Sequence, residues 1–526
     1  MSGNCARVPR FPARTFEEAV QCLCFCFMFL PDSIGRPDQY LYPLYRKDLS
    51  SGVLTRQCAK ERLQELFIIV NGFTKFNHRW ADRGGESHFV VGGYTKAHED
   101  GFNELSELII ESMMELNLCR PQVSLRWTEK TPRKVFRFMM DCERRDRRRR
   151  IAFVNDEPRL KTLMEIAGLD FETASDYIMV GCNEPAFQGS ISLGGNTVNI
   201  LRSLLNALDS NRVLYCGTFD EFYDVYEKEL FRDLEKILDD TNHFNLRRAA
   251  DINILSSLFL DGCIESARSA TRGGVKTPST CADLMGFVNV IDSLSVIQQF
   301  VFEERQVSMS GLIDALKNNW KGAETLHAKI VRSGRFFGNA DELSDSMARR
   351  FTNSLYKFAY GKKDLFGTPL RYGNLTGYIT HYANYGKLTG ASPDGRYAGE
   401  PLKFGSGQSN GYDRNGSTAL LSSAAGMDPS GIMGGNTVMN LMVDASVTSS
   451  EEGFGKLVTL VETFFKMGGL HIQLSHVSPE EMIAARKSPE EYQSLRVRVS
   501  GFSATFVKLD NTIQTELIHR TGHSEV

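Results

Sequence analysis

The sequence predicts an α/β protein, and three observations lead there. Stretches whose apolar positions recur every three or four residues alternate with short apolar or alternating runs of strand length. Glycine, asparagine, aspartate and serine gather between them, as turn chemistry requires. The chain has 526 residues with no internal repeat and no low-complexity segment. That length allows about two to four domains, or one large barrel with an appended segment.

The elements follow in order. TFEEAVQCLCFCFMFL (15–30) reads as a buried helix, with Thr15 as its cap and Glu18 at capping-box spacing. Its apolar part, Ala19 to Leu30, is shorter than the roughly 20 residues a bilayer requires. Residues 55–79 and 103–117 repeat apolar positions at helical steps. PQVSLRW (121–127) alternates like a strand. Residues 131–150 form a basic helix ending in RRDRRRR, and helices are expected at 158–168 and 172–178. YIMVG (177–181) is a short apolar run that stops at Gly181, a strand-like entry to a loop. Helical periods return at 197–208, 219–241, 281–304, 309–320, 324–332 and 340–360. From 361 to 450 they fade into turn residues. A helix at 451–467, a strand at 471–477, a helix at 478–494 and a strand–turn–strand at 496–509 around Gly501 complete the chain.

Composition narrows the function classes. Hydrophobic residues are 42% and charged residues 24%, with a formal net charge of −3. Nothing global favours nucleic acid or an anionic membrane. The eleven cysteines lack framework spacing and no signal peptide opens the chain, so a cytoplasmic protein with reduced thiols is expected. Cys22, Cys24 and Cys26 do not share one helical face, so core packing is preferred to a metal site. Arg144 to Arg150 reads as a solvated helix end or a dock for a partner. Gly84-Gly85, Gly92-Gly93 and Gly194-Gly195 lack the spacing of phosphate loops. Asp394-Gly395 and Asn415-Gly416 are turn signals. His88, His381, His471 and His476 each read first as core histidines and enter no catalytic set.

Two segments carry chemistry. In RVSGFSATFVKLDNTIQTELIHRT (498–521) a glycine interrupts an alternating apolar strand. Such a glycine marks a bulge or a close backbone approach. It can also lose an α-hydrogen, since the flanking amide nitrogen and carbonyl stabilise a radical and no Cβ hinders flattening. The second segment is Val180-Gly181-Cys182-Asn183-Glu184-Pro185. A buried cysteine is usually a small core residue. On an extended loop, however, the i, i+2 spacing of Cys182 and Glu184 would turn thiol and carboxylate to one side.

Arg498 to Ala504, with Gln514, Glu516 and Arg520-Thr521 downstream, resembles the glycyl radical motif of the pyruvate formate-lyase and glycerol dehydratase family. Gly181-Cys182-Asn183-Glu184-Pro185 is similar to the Gly-Cys-x-Glu-Pro loop of the family's eliminases and decarboxylases. Ala13 to Phe16, Gly35-Arg36, Asp38 to Pro43, Pro121 to Trp127, Asn155 to Glu157, Ser392 to Arg396 and Asp413 to Gly416 resemble its barrel segments in the same order. The resemblance implies a ten-stranded α/β barrel ringed by helices. A barrel domain (1–395) would carry the cysteine loop, and a glycine radical domain (396–526) would follow. It implies a resting radical on Gly501, a thiyl on Cys182 that abstracts substrate hydrogen, and Glu184 as general base. A carboxylate enclosed in such a loop should have a raised pKa, which suits that role.

No bound cofactor is implied. A separate S-adenosylmethionine-dependent activating enzyme would install the radical, and no iron–sulfur cysteine cluster stands in this chain. A homodimer acting on a small molecule is expected. Gly181 replaces the first of the two adjacent cysteines of pyruvate formate-lyase, which favours dehydratase-type elimination over acyl transfer. Arylacetate-type decarboxylation, a formate acetyltransferase-like activity and a non-catalytic paralogue are the alternatives. Members of the family carry a long region before the Ala-Arg-Thr-Phe segment, so a compact variant, a truncated product and a split enzyme with a separate N-terminal half all stay open. Asn183 stands where the eliminases commonly have an apolar residue.

Overall fold

A computed structural model describes residues 2–29, 33–72, 87–191, 197–252, 254–278, 281–374, 380–407, 411–435, 437–520 and 522–523. Leu30, residues 73–79, Gly84-Gly85, Gly194-Gly195 and Thr521 lie outside these. The strands are β1 (His88–Gly92), β2 (Gln122–Trp127), β3 (Ile151–Asn155), β4 (Tyr177–Val180), β5 (Glu184–Phe187), β6 (Thr197–Asn199), β7 (Ala282–Met285), β8 (Tyr372–Gly373), β9 (Met439–Val443), β10 (His471–Ser475), β11 (Arg496–Arg498), β12 (Ser503–Thr505) and β13 (Gly522–His523).

The central sheet runs β1-β2-β3-β10-β9-β13. Its first three strands are parallel, with His88 opposite Gln122 and Val123 opposite Ile151. The other three are also parallel to one another, and the two sets meet antiparallel where His471 faces Val154. A second sheet, β6-β7-β8, is parallel throughout. These pairings do not by themselves close a ten-stranded ring.

Strand alternation divides the central sheet into two chemically different faces. Phe89, Val91, Val123, Leu125, Trp127, Phe153, Leu441 and Ile472 enter one apolar core. The helices Phe16–Phe29, Arg56–Gly72, Glu104–Leu116, Arg133–Arg145 and Glu451–Lys466 cover that face. The opposite face carries His88, Gln122, Ser124, Arg126, Asn440, His471 and Gln473, nearly all of them fully buried. Buried polar groups cost stability unless hydrogen-bonded, so a polar inner face signals a function other than packing.

Most helices start where their caps predict. Glu18 N–H donates to Thr15 Oγ1 (3.1 Å), while the Glu18 carboxylate turns to Arg14 instead of closing the capping box. Asn103 and Ser106 close a reciprocal box at the start of Glu104–Leu116.

Several expectations change, among them the fading of regular structure over 361–450, where the helices Thr380–Lys387 and Gly416–Gly426 and strand β9 stand. The helix expected at 172–178 ends at Ser175, and Tyr177 begins β4. The helices expected from 197 and 281 begin as strands β6 and β7, and helix follows at Ile200–Leu208 and Phe287–Val296. Runs of three or four strand residues are too short to display a period of two. A helix not expected, Asn511–Ile518, starts at Asp510, whose carboxylate accepts from the Thr512 and Ile513 amides. No helix among the described residues is long and apolar enough to cross a membrane.

Candidate active site

Two hairpins meet on the polar face. The first joins β4 to β5 with Val180 opposite Glu184, so Gly181, Cys182 and Asn183 form its tip. Asn183 N–H donates to Val180 O (3.0 Å). Gly181 and Asn183 both take left-handed backbone angles, φ +51° and +79°. These suit glycine and asparagine better than any other residues. The expected extended loop is therefore a tight turn. Cys182 and Glu184 are brought together by that turn and not by alternation. The Glu184 carboxylate folds back and accepts the Cys182 amide.

The second hairpin pairs β11 with β12, Arg498 opposite Ser503. Val499 N–H donates to Phe502 O (2.9 Å), which puts Ser500-Gly501 at the tip. Gly501 has φ +68°, and a Cβ built on it would lie 2.0 Å from Cys182 O and 2.6 Å from Cys182 Cβ. With a bond of about 1.5 Å, the Gly501 α-carbon lies within about 4 Å of Cys182 Cβ. Both tips are buried, Cys182 at 4% exposure. Two of the three expected site residues are thus in direct contact, and the third folds onto the same turn.

Several side chains hold the glycine hairpin. Gln122 Nε2 and Asn183 Nδ2 both donate to Gly501 O, at 2.6 and 3.0 Å. Arg498 is fully buried and donates to Arg149 O (2.7 Å), Ser503 Oγ (3.3 Å) and Gln473 Oε1. Burial pulls its guanidinium down to about 10. Arg520 donates to Arg498 O (3.2 Å) and Val499 O (2.9 Å) and pairs with Glu516 (3.0 Å). Gln514 Nε2 donates to Phe506 O and Leu509 O.

The arginine run is not merely a solvated helix end. The carbonyls of Arg148 and Arg149 accept from Arg496, Arg498 and Ser503, and Arg150 is buried against Asp146 (3.0 Å).

The cysteine hairpin is anchored by a buried ion pair. Arg126 binds Asp156 through two bonds (2.9 and 2.7 Å) and donates to Tyr177 O (2.8 Å). The Tyr177 hydroxyl donates to the same carboxylate (2.6 Å). Arg36 bonds Ser175 O, Gly92 O and Tyr94 O, tying the start of this hairpin to the end of β1. A cavity of about 890 Å³ is lined by Arg396, Phe404, Tyr412, Asn440, Glu516 and Arg520 among others. It includes none of Cys182, Glu184 or Gly501, and Arg520 is what links it to the glycine hairpin.

Sequence reasoning did not find Gln122, Ser124 or His88 as site residues. The available signal was the alternation in β2, where Gln122, Ser124 and Arg126 interrupt a strand that parallel neighbours bury on both sides.

A buried glycine is thus pressed against a buried cysteine, each at the tip of its own hairpin. The chain belongs to the pyruvate formate lyase-like family, which it matches over residues 1–386. Residues 403–507 match the glycine radical family. It is 30% identical to isethionate sulfite-lyase of Oleidesulfovibrio alaskensis, across 99% of this chain and 67% of that protein. It is 29% identical to trans-4-hydroxy-L-proline dehydratase of Clostridioides difficile, across 98% and 69%. The structure superposes with TM-score 0.90 on the Roseburia inulinivorans protein of 1,2-propanediol dehydration, at 29% identity over 99% of this chain and 69% of that one. The α/β fold is therefore that of glycyl radical enzymes.

Proposed function

We propose that the chain is a glycyl radical lyase that eliminates a leaving group from a small hydroxylated substrate. The observation that carries this reading is the contact between Gly501 and Cys182, where an added Cβ would stand 2.6 Å from Cys182 Cβ. Hydrogen transfer needs reacting atoms near 3–3.5 Å, and backbone contact between the two tips brings the glycine carbon and the cysteine side chain into the neighbourhood such a transfer requires. The Gly501 radical takes the thiol hydrogen of Cys182 and becomes glycine. The thiyl then takes a hydrogen atom from substrate carbon, and Glu184 accepts the proton of the adjacent hydroxyl. The ketyl radical anion so formed expels its neighbouring group with the bonding electron pair, Glu184 returns its proton to that group or to solvent, and the product radical recovers hydrogen from Cys182, which recovers it from Gly501. Burial of both tips keeps water and oxygen away from the radical. The named relatives include a sulfite-lyase and a dehydratase, which supports elimination. A Cβ at position 181 would stand 2.6 Å from Glu184 Oε2 on a backbone with φ +51°, so an additional cysteine there would displace the Glu184 carboxylate and strain the turn, which speaks against acyl transfer.

In this reading a separate S-adenosylmethionine-dependent activating enzyme installs the radical, the enzyme works in the cytoplasm as a homodimer, and no cofactor stays bound. Anaerobic activation is expected to produce a doublet in the electron paramagnetic resonance spectrum. The doublet collapses when the protein is grown on α-deuterated glycine, is lost in Gly501→Ala, and air cuts the chain at Gly501. Cys182→Ser keeps the doublet and loses turnover. A substrate panel scored for loss of water, amine, sulfite or carbon dioxide then identifies the leaving group. A doublet that survives in Gly501→Ala sinks the proposal. Turnover by the 526-residue chain alone removes both the non-catalytic and the split-enzyme readings.

A further inference from the structure

The Gly501 carbonyl is the end point of a buried hydrogen-bond relay. Gly501 O can only accept, and it receives the Asn183 Nδ2 amide at 3.0 Å. Asn183 must therefore present its other atom, Oδ1, as an acceptor, and Ser124 Oγ lies 2.7 Å from it. The Ser124 hydroxyl hydrogen is committed to Asn183, so its lone pair faces His88 Nε2 at 2.9 Å. That nitrogen must carry the hydrogen, which sets the neutral Nε2–H tautomer of His88. Gln122 Nε2 supplies a second donor to the same carbonyl at 2.6 Å. All four residues are buried to 2% exposure or less.

We infer that His88, Ser124 and Asn183 form a positioning relay that, with Gln122, polarises the Gly501 carbonyl and so stabilises the radical at Gly501 relative to the thiyl at Cys182. This rests on the glycyl radical reading given above. The physics is that of a radical carbon between an electron-releasing nitrogen and an electron-accepting carbonyl. Donors on the carbonyl oxygen make it a better acceptor and draw spin density toward oxygen. The chain His88→Ser124→Asn183 runs in one direction, so each bond strengthens the next. Burial and the charge of Arg498 hold the His88 imidazole down to about 3, so the relay stays neutral at physiological pH. Asn183 does two jobs at once, because its left-handed φ of +79° closes the cysteine turn while its amide reaches the glycine hairpin.

The test is electron–nuclear double resonance on the anaerobically activated full chain in heavy water. The unmodified chain is expected to show couplings from two exchangeable deuterons on the Gly501 carbonyl. Asn183→Gly, which keeps the left-handed turn, loses one of them and shifts the g-anisotropy. Ser124→Ala weakens that same coupling, and Ser124→Thr, which keeps the hydroxyl, restores it. Radical content per chain under fixed activation falls about two- to tenfold in Asn183→Gly, the range one net hydrogen bond commands. If Asn183→Gly does not fold, Asn183→Asp keeps the shape without the donor and is read the same way. Two unchanged couplings and an unchanged g-anisotropy in the Asn183 variant overturn the relay while leaving the radical reading intact. Absence of any doublet in the unmodified chain removes the radical reading, and the relay with it.

Discussion

At the scale of single residues, the proposed base stands apart from the residues that support it. Glu184 touches the Cys182 amide and is the proposed base. Glu184→Gln is expected to keep the Gly501 doublet while lowering kcat by about 10²–10⁴-fold, the usual worth of a positioned base. Unchanged turnover would remove it from the mechanism. Gly501, Cys182 and Glu184 could be singled out in the sequence because they stand in short motifs that resemble those of a known family. His88 was not, because a histidine in HFVVG looks like any core histidine until Ser124 is found 2.9 Å from its Nε2. Asn183 was noticed as a departure from the family, yet its reach to Gly501 joins residues 318 positions apart, which no local pattern reveals.

At the scale of elements, the hairpins depend on what anchors them. Arg126 and Asp156 are both fully buried and make two bonds to each other. Asp156→Ala leaves an uncompensated buried charge and frees the Tyr177 hydroxyl. We expect a loss of about 3–5 kcal/mol in unfolding free energy, measured by denaturant titration. A change below about 1 kcal/mol would show that water or a rearranged partner compensates Arg126. Arg520→Lys should act more narrowly. It loses the fork that holds both Arg498 O and Val499 O, so air cleavage at Gly501 and radical decay should quicken while the melting temperature changes little.

Helices and the longer strands were legible in the sequence because their periods have room to repeat. Strands β6 and β7 were not, at three and four residues. The part of the arginine run that holds the glycine hairpin was not legible, because it lies in the backbone carbonyls of Arg148 and Arg149, which composition does not display.

At the scale of the whole molecule, the buried inner face is expected to make the protein acid-sensitive. His88 and His471 are fully buried, and burial depresses both, His88 to about 3 and His471 well below its ordinary value. An unfolded histidine titrates near 6.5, so below that pH the unfolded chain binds protons the folded one refuses. Their contribution to stability is therefore complete above about pH 6.5 and declines as pH falls toward the depressed folded values. Each histidine adds a slope of up to about 1.4 kcal/mol per pH unit. Denaturant midpoints measured from pH 7.5 to 4.5 should fall steadily below 6.5, and less steeply in His88→Gln. An identical slope in that variant would mean His88 is charged or solvated in the folded state.

Strand β2 works as a ruler. Its alternate residues stand about 6.6–6.8 Å apart, and its three inward rungs meet three different parts of the machine: Gln122 the glycine tip, Ser124 the cysteine tip through Asn183, and Arg126 the mooring of the cysteine hairpin. A designer could therefore adjust radical lifetime, tip alignment and scaffold rigidity by editing one six-residue segment, each through its own rung.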